Sequence, residues 1–261
     1  MTEHRVGEVC VRAEGHVVHA LIDRPSVRNA INDDVIDGLT AAIDLAEQRQ
    51  ARVLVVRGSG GTFCAGADLV MLERIRQDTG RVEKFMARLG AVLDRIENAP
   101  FASIAVVEGY AVAGGCELLL ACDVVVATAT ARIGDRHVEY GLVPAAGGSV
   151  RLSRQLPKAR ANYLLLSGEL LSGADAARWG LATVAVPAEH IDNAAAGIVS
   201  RISGRSTAAL ATVKDMLGNA GGLPQSAALD RERALFMEHI ASSDCRSGLA
   251  AFRDRRAPSF N

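Results

Sequence analysis

Residues Glu108 to Asp123 read EGYAVAGGCELLLACD, and what brackets them decides the fold. Upstream lies Ile104 to Val107 and downstream Val124 to Ala127, two apolar runs of the length of buried strands. Strand, glycine-rich turn, apolar helix and strand in that order predict parallel strands buried between helices. The same alternation extends outward. Apolar residues at Val82, Phe85, Met86, Leu89, Val92, Leu93 and Ile96 fall on one face of a helix, Val53 to Val56 reads as a short buried strand, and Val35, Ile36, Leu39, Ile43 and Ala46 mark a second helix over Asp33 to Glu47 with Asn32 or Asp33 as N-cap. Val9 to Ala13 and Val17 to Ile22, separated by Glu14-Gly15, predict a hairpin. The strand signals stop near Ala188, and Ala188 to Ile202, Ser206 to Leu217, Gln225 to Ile240 and Asp244 to Arg255 read as helices. The expected organisation is an α/β core over residues 1–190 and a helical arm over 191–261, without a long linker.

Composition removes whole classes of function. The 261 residues are 49% hydrophobic, enough for a large core, and 29 Lys and Arg nearly balance 30 Asp and Glu, so no overall field favours nucleic acid or an anionic membrane. Five cysteines, Cys10, Cys64, Cys116, Cys122 and Cys245, form no CxxC pair, which argues against a disulfide framework and a thiolate metal site and suits a reducing cytoplasm. MTEHRVGEVCVRAEG lacks the apolar stretch of a signal peptide, and the richest apolar stretch, Tyr110 to Ala131, is interrupted by Glu117 and Asp123, so neither export nor a membrane span is expected.

Three segments of small residues, Gly58 to Asp68 (GSGGTFCAGAD), Gly109 to Glu117 and Ala145 to Ser149 (AAGGS), follow buried strands. No lysine follows these glycines as a phosphate loop demands, and GSGGTF lacks the last glycine of GxGxxG. GxSxG and HExxH are absent, and His137-Val138-Glu139 has no PCxxC downstream. What remains is backbone N–H groups presented where helices begin, a geometry that binds oxyanions without a special side chain; the plain alternative is glycines that only make turns. Glu117 stands in CELLLAC, where burial raises a carboxyl's pKa and suits it to act as a base.

FCAGADL (Phe63 to Leu69), EGYAVAGGCELLLACD and GLVPAAGG (Gly141 to Gly148) resemble the crotonase, or enoyl-CoA hydratase/isomerase, family, with supporting matches at DRPSVRNAI (Asp23 to Ile31) and SGLAAFRDRRAPSF (Ser247 to Phe260). The resemblance implies a ββα spiral core, a C-terminal helical arm that trimerises, often a hexamer of two trimers, and coenzyme A as part of the substrate with no tightly bound cofactor and no metal. It places the two thioester-binding amides at Ala67 and Gly114, catalysis at Glu117, and coenzyme A contacts at Arg28, Ala30, Ala65, Asp68, Leu69, Phe252 and Arg255, the last an arginine where the family has lysine. Hydratases of this family carry a second glutamate where this chain has His137. His137 has two readings: it shares a water with Glu117 or reprotonates substrate carbon, or it only lines the pocket. If Asp135 to Tyr140 is helical, Asp135 and Glu139 lie about 200° around the axis from His137 and replace nothing. The expected activity is enoyl-CoA hydration, with isomerisation, thioester hydrolysis and non-catalytic acyl-CoA binding as alternatives.

Overall fold

The computed structural model describes residues 2–220 and 222–260. In chain order the strands are β1 (Thr2–Val6), β2 (Val9–Glu14), β3 (Val17–Ile22), β4 (Val53–Gly58), β5 (Ala102–Val107), β6 (Tyr110–Val112), β7 (Val124–Thr128), β8 (Arg132–Gly134), β9 (Leu171–Ser172) and β10 (Val184–Val186). The helices are α1 (Asp33–Gln48), α2 (Leu69–Ile75), α3 (Thr79–Glu97), α4 (Gly114–Leu120), α5 (Gly148–Gln155), α6 (Lys158–Ser167), α7 (Gly173–Trp179), α8 (Ile191–Ser203), α9 (Thr207–Ala220), α10 (Gln225–Ile240) and α11 (Ser243–Arg253).

Seven strands form one sheet in the order β1-β2-β3-β4-β5-β7-β10, antiparallel from β1 to β3 and parallel from β3 onward. Alternation along the central strands explains why both faces are covered. Leu54, Val56, Ala105 and Val107 join the main core with Val35, Ile36, Leu39 and Ile43 of α1 and Phe85, Leu89, Leu93 and Ile96 of α3. Val53, Val55, Ile104, Val106 and Val126 point the other way and pack on Ile191 and Ala195 of α8. Each fully buried Ile or Leu in these stripes stabilises by roughly 1.5–3 kcal/mol. Asn32 is the N-cap of α1, its side chain accepting from Val35 N at 3.0 Å.

The chain beyond α8 is tied back to the sheet by polar anchors. Arg52, 4% exposed just before β4, donates to Ser203 O, Thr207 Oγ1 and Phe260 O. Lys214 on α9 reaches Asp123 at 2.8 Å. Among the described residues no helix is long and apolar enough to cross a membrane.

A second, three-stranded sheet, β6-β8-β9, lies beside the first. β6 and β8 run parallel, with Tyr110 opposite Arg132 and Val112 opposite Gly134. Their carboxyl ends therefore deliver Ala113-Gly114 and Asp135 to the same edge, and the candidate site is built there.

Candidate active site

The loop after β4 is shaped from beneath by Asn29. This fully buried side chain donates to Ser59 O and Thr62 O and accepts from Arg24 N, satisfying backbone groups that a turn would otherwise leave unpaired. Farther along, Ile31 N donates to Gly66 O and Asp68 N to Ile31 O, so Ala67 sits between two fixed peptide units. Its own N–H donates to no protein acceptor among the described residues. Gly114 is the first residue of α4, where an amide has no partner within the helix. A Cβ at Gly114 would stand 3.2 Å from Ala67 N, which places the two amides side by side and explains why residue 114 carries no side chain.

Ala113 holds this junction at φ 51°, ψ −120°, a backbone conformation that costs an L-residue about 1–3 kcal/mol. Its N–H bonds Gly134 O at 3.1 Å, locking the start of α4 to the end of β8. With the positive end of α4 behind Gly114, two neighbouring N–H groups without protein acceptors among the described residues can meet a developing negative charge.

Glu117 lies one turn into α4 and is 2% exposed. Its Oε1 accepts from Ala146 N and Gly148 N, both at 2.8 Å, while Oε2 has no hydrogen-bond partner among the described residues, and the residue lines the cavity. Burial pushes the carboxyl above its ordinary range, although the Gly148 and Ala146 amides and the charge of His137 offset part of that rise. The donating loop is itself fixed by Arg151, whose guanidinium bonds Ala146 O, Asp94 and Glu97.

Residues 135–140 differ from the helix considered above. Arg136 adopts φ 60°, and only His137–Tyr140 form a 3-10 turn, so the chain doubles back over Asp135. Asp135 Oδ1 accepts from His137 Nδ1 at 2.9 Å and from His137 N at 3.2 Å; Asp135 faces His137 instead of lying around an axis from it. Burial opposes charge on the imidazole, yet its hydrogen bond to Asp135 and the charges of Asp135 and Glu117 outweigh that and raise its pKa. Glu139 turns outward and pairs with Arg136.

Ala67, Gly114, Glu117 and His137 share a cavity of about 260 Å³, which also receives Arg28, Ala65, Leu69, Tyr110, Arg136, Tyr140 and Leu142, with Leu72, Met86, Leu89 and Val112 as an apolar wall. The Arg28 guanidinium stacks over Tyr110 at 5.4 Å. Ala30 is buried behind the wall, its carbonyl accepting from Arg24. The Asp68 carboxylate caps α2 and pairs with Arg24; burial disfavours its charge, but Met71 N–H and Arg24 prevail and hold it below the usual range. Phe252 (86% exposed) and Arg255 lie on or just after α11, and neither lines the cavity in the single chain. A larger groove of about 1050 Å³ opens between the far face of the sheet and α8, but its Arg57 is already paired with Glu108 and Asp192, so size does not locate the chemistry. Sequence reasoning missed the Ala146 and Gly148 amides and the aspartate–histidine contact; the only signal for the latter is a D-x-H spacing, common to many turns.

A family model described as enoyl-CoA hydratase/isomerase matches residues 12–261. A probable enoyl-CoA hydratase of Mycobacterium tuberculosis is 34% identical over 253 residues, covering 97% of each chain. A 2,3-dehydroadipyl-CoA hydratase of Escherichia coli is 33% identical over 261 residues, covering 98% of this chain and 99% of its own. The crystal structure of an enoyl-CoA hydratase from Polaromonas superposes with a TM-score of 0.93 at 31% identity over 97% of this chain and 99% of that one. The match therefore runs through every segment that builds the cavity, and the chain belongs to the enoyl-CoA hydratase/isomerase family.

Proposed function

We propose that the protein hydrates the double bond of an enoyl-CoA thioester and catalyses the reverse dehydration. The observation that carries this reading is the meeting of two unpaired amides, Ala67 N–H and Gly114 N–H, with a buried carboxylate that keeps one oxygen free. The thioester oxygen docks on the two amides. Glu117 Oε2 takes a proton from water as the water oxygen bonds to the β-carbon, and the π electrons move onto the thioester oxygen. The charge formed there is met by donors already in place, each contributing roughly 3 kcal/mol. His137 then gives a proton to the α-carbon, the enolate reverts to the thioester, and the proton on Glu117 returns to the imidazole through the cavity.

Arg28, Ala65 and Leu69 line the cavity and are read as coenzyme A contacts, with Arg28 positioned by Tyr110, while Ala30 and Asp68 do not line it and are read as contacts from the sequence resemblance alone. Phe252 and Arg255 serve that role on a surface completed in the trimer or hexamer. The apolar wall, with Arg28 read as a coenzyme A contact and Arg136 paired with Glu139, favours an acyl chain without a terminal carboxylate. A reducing cytoplasm suits five free cysteines.

Mass spectrometry on 2-enoyl-, 3-enoyl- and saturated acyl-CoA panels in H₂¹⁸O tests the reading. The expected result is ¹⁸O at the β-carbon of 2-enoyl substrates, with at least tenfold lower kcat/KM for chains ending in a carboxylate. A moved double bond without ¹⁸O uptake identifies an isomerase, free acid identifies a hydrolase, and binding without turnover identifies a carrier. Each of these sinks the hydration reading.

A further inference from the structure

We infer that Asp135 is a positioning residue for this reaction: it holds His137 as the imidazolium that protonates the α-carbon, so the second acid of the site is an aspartate–histidine pair. The inference rests on the hydration reading above, but its geometry stands apart from it. Asp135 is 2% exposed at the end of β8, in a register set by the parallel ladder to β6. Oδ1 takes both the ring Nδ1 and the backbone N–H of His137, fixing the Nδ1–H tautomer and leaving Nε2 for the cavity. Oδ2 is buried and has no hydrogen-bond partner among the described residues. A Cβ at Gly148 would stand 2.9 Å from that oxygen and 3.1 Å from Glu117 Oε1, so the two carboxylates flank one point.

Two buried carboxyls this close, one with an unpartnered oxygen, concentrate negative potential that a positive charge beside them offsets. His137 is that charge. Asp135 from β8 and Glu117 from α4 are the charges that bear on its ring; Arg136 and Glu139 on its own turn pair with each other, Arg28 is stacked on Tyr110, and α6, packed against the turn, sets none against it. An imidazolium carries a proton on Nε2, which a neutral ring in the Nδ1–H tautomer lacks. Transfer breaks the Nε2–H bond, leaves its electron pair on nitrogen, and forms Cα–H with the enolate's carbon–carbon π pair as the oxygen's electrons re-form the thioester carbonyl. The proton taken from water by Glu117 then restores the imidazolium.

Asp135→Asn keeps the Oδ1 acceptor and the shape while removing the charge. We expect kcat to fall ten- to a hundredfold with KM within twofold, the alkaline limb of the kcat–pH profile to move at least one unit lower, and the His137 pKa followed by ¹⁵N NMR to fall with it. Asp135→Asn/His137→Gln is expected to be no slower than His137→Gln alone, because Asp135 acts through the ring. A purely structural Asp135 leaves the limb and the NMR titration unmoved and slows the double variant further, and that result overturns the inference. A wild type that hydrates nothing sinks the hydration reading and the α-carbon assignment with it; the NMR titration, which needs no turnover, still decides whether Asp135 holds the imidazolium.

Discussion

Two amides grip one oxygen of Glu117, and an amide side chain can accept the same bonds. Glu117→Gln therefore separates chemistry from stability. The folded carboxyl titrates above its ordinary 4.5, so its contribution to stability is present below that pH and is lost as pH rises through the folded value. Glutamine removes that loss. The variant is expected to melt at or above the wild-type temperature at pH 7, the difference shrinking toward pH 4, while kcat falls roughly 10²–10⁴-fold. Thermal denaturation at the two pH values with steady-state kinetics checks both parts; a lower melting point at pH 7 counts against the buried charge as the source. At this scale the sequence was partly legible. Glu117 stood out because CELLLAC surrounds it with apolar residues. The small residues of AAGGS were legible as a place of close approach, but what approaches is the pair of carboxylates around Gly148, a contact between segments that no local pattern encodes.

The helices that bury an apolar stripe, α1 and α3, were visible as periodicities, the hairpin strands β2 and β3 as β-rich runs around a turn, and β4, β5 and β7 as short continuous apolar runs, because burial on one side imposes a repeat and burial on both sides removes the polar residues. β6, β8 and β9 were not, since two or three residues contain no repeat; these strands exist because neighbouring backbone completes them. The 3-10 turn at His137 stayed hidden because Arg136 supplies a left-handed conformation that nothing in its side chain announces. Ala113 is a second such residue, and it aims the first amide of α4. Ala113→Gly relieves about 1–3 kcal/mol of strain and returns part of it as unfolded-chain entropy. The expected outcome is a melting temperature roughly 2 °C higher with kcat several-fold lower, as the Gly114 amide loses its fixed direction. A variant that melts lower shows that the alanine methyl packs more favourably than the strain costs.

Over the molecule as a whole, the arm was legible as helices, but the way the chain is held together was not, because Arg52 pairs with carbonyls and a hydroxyl drawn from both ends of that arm. Arg52→Met is expected to lose about 2–4 kcal/mol and to raise hydrogen exchange first in residues 204–220, with kcat at low temperature little changed. Unchanged exchange there shows that α9 is held by Lys214 and apolar packing alone. The loop that clamps Glu117 lies some thirty residues downstream of it in the chain. During synthesis from the N-terminus, a nascent chain thus exposes Ala67, Gly114 and Glu117 to the cell before Ala146 and Gly148 leave the ribosome. A product truncated in that interval carries Ala67, Gly114 and Glu117 without the loop whose amides bond the Glu117 carboxylate.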